Sequence, residues 1–276
     1  MTPLLLALGA SLAWGVADFA GPLFGRTLGT LPVLFWAEAG GVVGIGIAVA
    51  IRHEGPAGWG VLYAILAAVG GMLGLWAYYH GMATGAMSVV APIAGVSAVI
   101  PVIVGIVSGD APSVAQLAGI ACALVGVGFA SIEQSEGRRR VASGVGLALL
   151  AAAGFGFYFP WMHAAGRVDF WWTSFIFRFA ALLIVAAIVA QQGTRVRLSR
   201  RNTVIACVIG LGDTLGNVLF AAASNEGGLI SLTSVLASLY PVVTILLAAR
   251  ILHERVARLQ RAGIALTLLG VVLISV

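Results

Sequence analysis

The chain has 276 residues, a formal net charge of +5 and only 9% charged residues, where soluble domains carry about 25%. With Gly counted and Tyr left out, about 72% of it is apolar, against roughly 45–50% in soluble proteins; a soluble globular fold is excluded and an integral membrane protein implied. All 15 Lys+Arg residues are Arg, which excludes a Walker-type phosphate loop, a Schiff-base enzyme and any catalytic lysine, and the basic balance fits loops beside a membrane rather than a nucleic-acid surface.

A helix needs about 20 mostly apolar residues to cross the roughly 30 Å hydrocarbon layer. Ten stretches qualify: 3–24, 31–51, 59–80, 87–107, 113–132, 143–163, 170–190, 203–223, 229–251 and 257–276. The runs are continuous rather than alternating, which argues against the strands of a membrane barrel. The first lacks a basic leader and reads as a retained helix. The expected fold class is therefore an all-α polytopic membrane protein with ten transmembrane helices. Short connections hold nearly all the charge, leaving no soluble catalytic domain, so function must reside between helices. No metal or organic cofactor is expected, and no nucleotide or nucleic-acid partner. Cys122 and Cys207 fall inside spans and read as small packing residues rather than a disulfide or metal pair.

Polar groups at membrane depth come next along the chain, because an ionisable side chain in mid-bilayer costs about 2.5–3.5 kcal/mol on insertion scales. Asp18 lies in the first span, with Trp14 four residues earlier on the same helical face. Glu38 lies in the second, Trp76 and Tyr79 in the third, and Tyr158 in the sixth. Arg178 lies in the seventh, Asp213 and Asn217 in the eighth, and Tyr240 in the ninth. These ten residues are the candidate substrate contacts. Two readings of Glu38 and Arg178 stay open. They form a buried pair that fixes an interface, or they line a cavity where Arg178 holds an anionic group. Asp213 is either a hydrogen-bonded neutral carboxyl or a proton-exchanging one. The acids outnumber the one arginine, which favours proton coupling or a cationic or zwitterionic small molecule over a di-anion. Gly212 and Gly216 form a ridge where another helix can approach. Pro92, Pro101, Pro160 and Pro241 interrupt spans and are expected to kink them. His80 and His163 close their spans and are expected to reach water.

The chain also repeats itself. Shifted by 144 residues, 113–132 overlies 257–276 with nine identities, among them Gln116/Gln260, Gly119/Gly263 and Gly126/Gly270, and Asp110 falls on Glu254. A shift of 140–141 places Gly25-Arg26 on Gly166-Arg167 and Glu38 on Arg178. Residues 1–132 and 143–276 thus form two units of five spans, joined by 133–142. Five is odd, so the second unit enters the membrane from the opposite side, as in transporters built from inverted repeats.

Leu236-Ala-Ser-Leu-Tyr240-Pro241-Val-Val-Thr244, with His253-Glu254-Arg255 and Gln260-Arg-Ala-Gly263, resembles the closing motif of the EamA family in the drug/metabolite transporter superfamily. Gly85-Ala-Met-Ser88-Val-Val-Ala91-Pro92, Pro101, Asp110, Gln116 and Gly119 resemble its first-repeat counterpart, although Asp110 lacks the following basic residue. The resemblance implies a ten-helix secondary carrier of the cell membrane, moving a small organic metabolite or drug-like compound, with export as the direction and no enzymatic activity. An intramembrane lipid-handling enzyme and a passive channel are the alternatives. Loops after odd-numbered spans carry twelve Arg and loops after even-numbered spans two, which puts both chain ends outside by the positive-inside bias; the family picture implies both ends cytoplasmic.

Overall fold

The computed structural model describes residues 1–56, 58–85, 87–130, 144–253 and 258–275. The connecting segment 133–142 and the Glu254-Arg255 pair lie outside the described residues. Everything regular in the described chain is helical. In chain order the helices are α1 (Thr2–Leu28), α2 (Thr30–Arg52), α3 (Gly60–Thr84), α4 (Met87–Gly95), α5 (Val99–Val107), α6 (Val114–Ala130), α7 (Val145–Gly166), α8 (Phe170–Gln192), α9 (Arg200–Asn225), α10 (Ile230–Ala237), α11 (Tyr240–Ile251) and α12 (Arg258–Ser275). A single 3-10 turn, Val96–Ala98, joins α4 to α5. Among the described residues, seven segments are long and apolar enough to cross a bilayer, Ile230–Ile251 counting as one, and two shorter apolar stretches accompany them, Ile93–Val107 and Val114–Gly126.

Local chemistry explains the boundaries. Gly29, at φ +88°, stops α1 and returns its N–H to the Gly25 carbonyl, a backbone angle open to glycine and strained for other residues. The Asp169 carboxylate accepts from the Trp171 and Trp172 N–H groups at 2.9 and 3.2 Å and so starts α8, a capping contact that satisfies otherwise orphaned donors. Arg26 donates twice to the Met82 carbonyl in the last turn of α3, placing a cation at the negative end of that helix. Two sequence-expected spans are broken rather than merely kinked. Pro241 sits in the first turn of α11, where its missing N–H costs nothing, and the chain turns at Ser238-Leu239 just before it. The span holding Pro101 breaks at Val96–Ala98. Pro160, in contrast, stays inside an unbroken α7.

Packing follows a pairwise pattern. α1 lies along α9 and α3 along α7; α2 is wedged against both α8 and α9; α6 pairs with α12; α1 also meets α10 and α11, while α7 meets α4 and α5. Glycine and alanine set these distances. A Cβ on Gly210 would fall 1.8 Å from the Ala37 carbonyl oxygen, so α2 and α9 touch backbone to backbone there. Gly154 of α7 would meet the Gly74 nitrogen at 2.5 Å. Bulky residues point the other way: Leu5, Leu12 and Val16 of α1 and Val204, Val208 and Leu215 of α9 are each more than half exposed, the outward apolar surface that lipid chains cover.

Candidate functional site

Arg178 organises the centre of the bundle. It is the ninth residue of α8, only 1% exposed, and faces Glu38 of α2, which is fully buried. Its Nη1 donates to both Glu38 carboxylate oxygens, at 2.9 and 2.8 Å. Its Nη2 donates to Oδ2 of Asp213 on α9, whose side chain is 17% exposed. One guanidinium therefore joins three helices through two carboxylates. The arrangement lowers the cost of all three charges, since a buried ion keeps its charge only when paired and hydrogen-bonded. Gly41 makes room for it: a Cβ there would sit 3.2 Å from Arg178 Cδ and 2.4 Å from Thr214 Oγ1. The Phe177 ring lies 5.5 Å from the guanidinium carbon.

The structure forms the buried Glu38–Arg178 pair of the first reading, and it also sets Arg178, with Asp213, at the wall of a cavity of about 50 Å³. Trp14, Asp18, Tyr158, Asn217 and Tyr240 border the same space, so seven of the ten sequence-derived candidates converge there. Glu38 stands behind Arg178 rather than in the wall. Trp76 instead packs at a tilt against His80, 4.7 Å between centroids, and Tyr79 presses against α1 where Gly21 leaves space for its hydroxyl; neither borders the cavity. Sequence reading missed Gly71, Met72 and Leu75 of α3, and also Phe155, Phe159 and Phe177. Because α3 is apolar on every side, periodicity could not say which of its faces turns inward. Phe159 carried a usable signal, being the counterpart of Asp18 at the 141-residue shift.

The polar wall is itself bonded. Tyr158 Oη donates to Asn217 Oδ1 at 2.6 Å, and Asn217 Nδ2 donates to the Asp213 main-chain oxygen at 2.9 Å. Thr214 bonds back to the Gly210 carbonyl at 2.7 Å. The Gly216 position serves a side chain rather than a helix backbone: a Cβ there would collide with the Trp14 indole at 2.4 Å, whereas Gly212 has only Ala17 Cβ, at 4.0 Å. Trp14 is held edge-on to Tyr158 and Phe159, 6.0 and 6.1 Å between centroids. Asp18, 5% exposed, borders the cavity with Arg178 and makes no hydrogen bond to the described residues. The Tyr240 hydroxyl is buried without a hydrogen-bond partner. Chemically, then, the cavity offers an aromatic wall, one doubly compensated cation and one acid without a hydrogen bond.

A bundle of apolar helices around a buried ionic centre defines a polytopic membrane protein with an internal polar site. The model of the EamA-like transporter family matches it at residues 1–132 and again at 142–276, and the chain belongs to that family, within the drug/metabolite transporter superfamily. The resemblance read from the Tyr240-Pro241 and Gly85–Pro92 motifs is thus established. A solved structure described only as "Crystal structure of protein" shares the fold, with a TM-score of 0.77 and 18% identity over 100% of this chain and 99% of that one; it belongs to a set of 27 matching chains. No curated protein matches the sequence.

Proposed function

We propose that the protein is a secondary transporter that moves a small organic metabolite or drug-like compound across the cell membrane by alternating access. The observation that carries the reading is the Glu38–Arg178–Asp213 network, set midway along three helices, with Arg178 and Asp213 bordering the cavity. Charges are kept at that depth for a substrate or ion path more often than for packing alone. The transporter family supports a small-molecule substrate and a bilayer around the protein.

Ten crossings arranged as two inverted five-helix repeats complete the proposal. Four features support them. The family model matches both halves. The interrupted helices α4–α5 and α10–α11 occupy corresponding places in the two halves, as discontinuous helices do in inverted-repeat carriers. The contact of α1 with α9 has its counterpart in α7 with α3, and that of α2 with α9 in α8 with α3. Glu38 and Arg178, 140 residues apart, meet each other. A cavity of about 50 Å³ holds a few waters at roughly 10–15 Å³ each. Ligand pockets span about 300–1,000 Å³, so this conformation is contracted and substrate entry requires the helices to part. Asp18, Glu38 and Asp213 outnumber Arg178, which favours a cationic or zwitterionic substrate, or a proton carried with it. Export is the direction the family resemblance implies.

Purified protein in liposomes tests the reading. Counterflow that saturates with substrate, and that Arg178→Ala and Asp213→Asn reduce while both variants still insert, supports a carrier. Unsaturable flux would make it a channel, and product formation an enzyme.

A further inference from the structure

A second space lies on the far side of α7 from the central cavity. Phe155, Tyr158 and Phe159 face the cavity, whereas Phe157, Trp161 and Ala164, at spacings of four and three, line a separate groove of about 700 Å³. That volume falls within the roughly 300–1,000 Å³ of ligand pockets. Its walls come from α3, α5 and α7, together with Ile230 of α10.

The groove is chemically polarised. Asp110, His163 and Arg167 gather where α5 and α7 end, while Ile100, Val104 and Phe157 line the part nearer mid-span. Phe157 precedes Arg167 by ten residues, about 15 Å along the helix at 1.5 Å per residue. The polar end has bonding capacity to spare among the described residues. His163 Nδ1 is buried without a partner, so this histidine does not simply reach water. Asp110 uses one oxygen to accept from the Ser231 N–H at 2.9 Å, leaving the other unbonded. The Arg167 guanidinium makes no hydrogen bond or ion pair there.

We propose that this groove binds one zwitterionic glycerophospholipid drawn from the bilayer. Arg167 and His163 take the phosphate, Asp110 takes the ammonium, and one acyl chain lies against Ile100, Val104 and Phe157. Guanidinium recognises phosphate through a planar fork, and basic pockets between membrane helices hold lipid head groups. A carboxylate beside that arginine selects a head group carrying both charges over a purely anionic one. The site is independent of what the central cavity carries.

Native mass spectrometry of the detergent-purified full chain tests the assignment, using phosphatidylethanolamine and phosphatidylglycerol with identical chains. The wild type should retain one phosphatidylethanolamine about fivefold more than phosphatidylglycerol, or roughly 1 kcal/mol. Arg167→Gln should lower retention of both lipids about tenfold. Asp110→Asn keeps an acceptor for the Ser231 N–H and should erase the preference between the two. Val104→Trp leaves the polar end intact, fills the groove and should abolish the adduct. Equal retention of the two lipids by the wild type, or wild-type retention by Val104→Trp, overturns the proposal.

Discussion

Removing Glu38 tests the electrostatic centre most sharply. Its carboxylate is fully buried and takes both hydrogen bonds of Arg178 Nη1, so Glu38→Ala leaves a buried guanidinium with Asp213 as its remaining charged hydrogen-bond partner. Breaking a buried pair from one side costs about 3–5 kcal/mol. Asp213 still compensates through Nη2, which places the expected loss near the lower end, about 3 kcal/mol. Glu38→Gln keeps an acceptor but not the charge, and about half that loss is expected, in the range of one charge-assisted hydrogen bond at roughly 1.5–3 kcal/mol. Glu38→Ala with Arg178→Met removes both charges. Apolar replacement of a buried pair is often neutral or stabilising, so the double variant should recover most of the stability lost by Glu38→Ala. Detergent-driven unfolding in mixed micelles, followed by tryptophan fluorescence, supplies the cycle. A Glu38→Ala cost under about 0.5 kcal/mol, or a double variant whose cost equals the sum of the singles, would refute the reasoning, because contacting residues must couple.

Four further substitutions test the packing, the polar wall and a cap. Gly210→Ala forces a Cβ against the Ala37 carbonyl and should destabilise by at least the roughly 1–3 kcal/mol of an overpacked site, whereas Gly212→Ala, with its nearest atom 4.0 Å away, should change thermal stability little; equal effects would contradict the α2–α9 contact. Tyr158→Phe removes the 2.6 Å donor to Asn217 and should cost about 1 kcal/mol in the same unfolding assay, with a larger proportional loss of substrate affinity than of stability. Asp169→Ala removes two capping bonds from α8, and unfolding should show a loss of about 0.5–2 kcal/mol; no loss would mean that water replaces the cap.

What the sequence made legible is what periodicity and cost can reach. Continuous apolar runs located the helices, because no other regular structure satisfies its backbone alone in lipid. The expense of mid-membrane charge singled out Asp18, Glu38, Arg178 and Asp213, and the structure places all four around one centre. Rotational facts were illegible. The sequence singles out Trp76 and Tyr79, yet their neighbour Leu75 borders the cavity and they do not, because an all-apolar helix carries no marker of its inward face. Gly216 read as a helix-contact site because glycine spacing is blind to the Trp14 ring that fills it. Pro241 signalled a disturbance, but not whether the helix would bend or break. His163 read as solvated, yet its Nδ1 is enclosed.

The opposed insertion of the two halves is the claim on which alternating access rests. Thr27 and Val168 are equivalent under the 141-residue shift, and both are exposed, Thr27 in the last turn of α1 and Val168 two residues past the end of α7. With Cys122 and Cys207 replaced by alanine, Thr27→Cys and Val168→Cys can each be probed in intact cells with a membrane-impermeant maleimide. One of the two should react from outside and the other only after permeabilisation, with Val168→Cys the accessible one if the Arg-rich loops face the cytoplasm. Labelling of both from the same side would contradict the inverted arrangement.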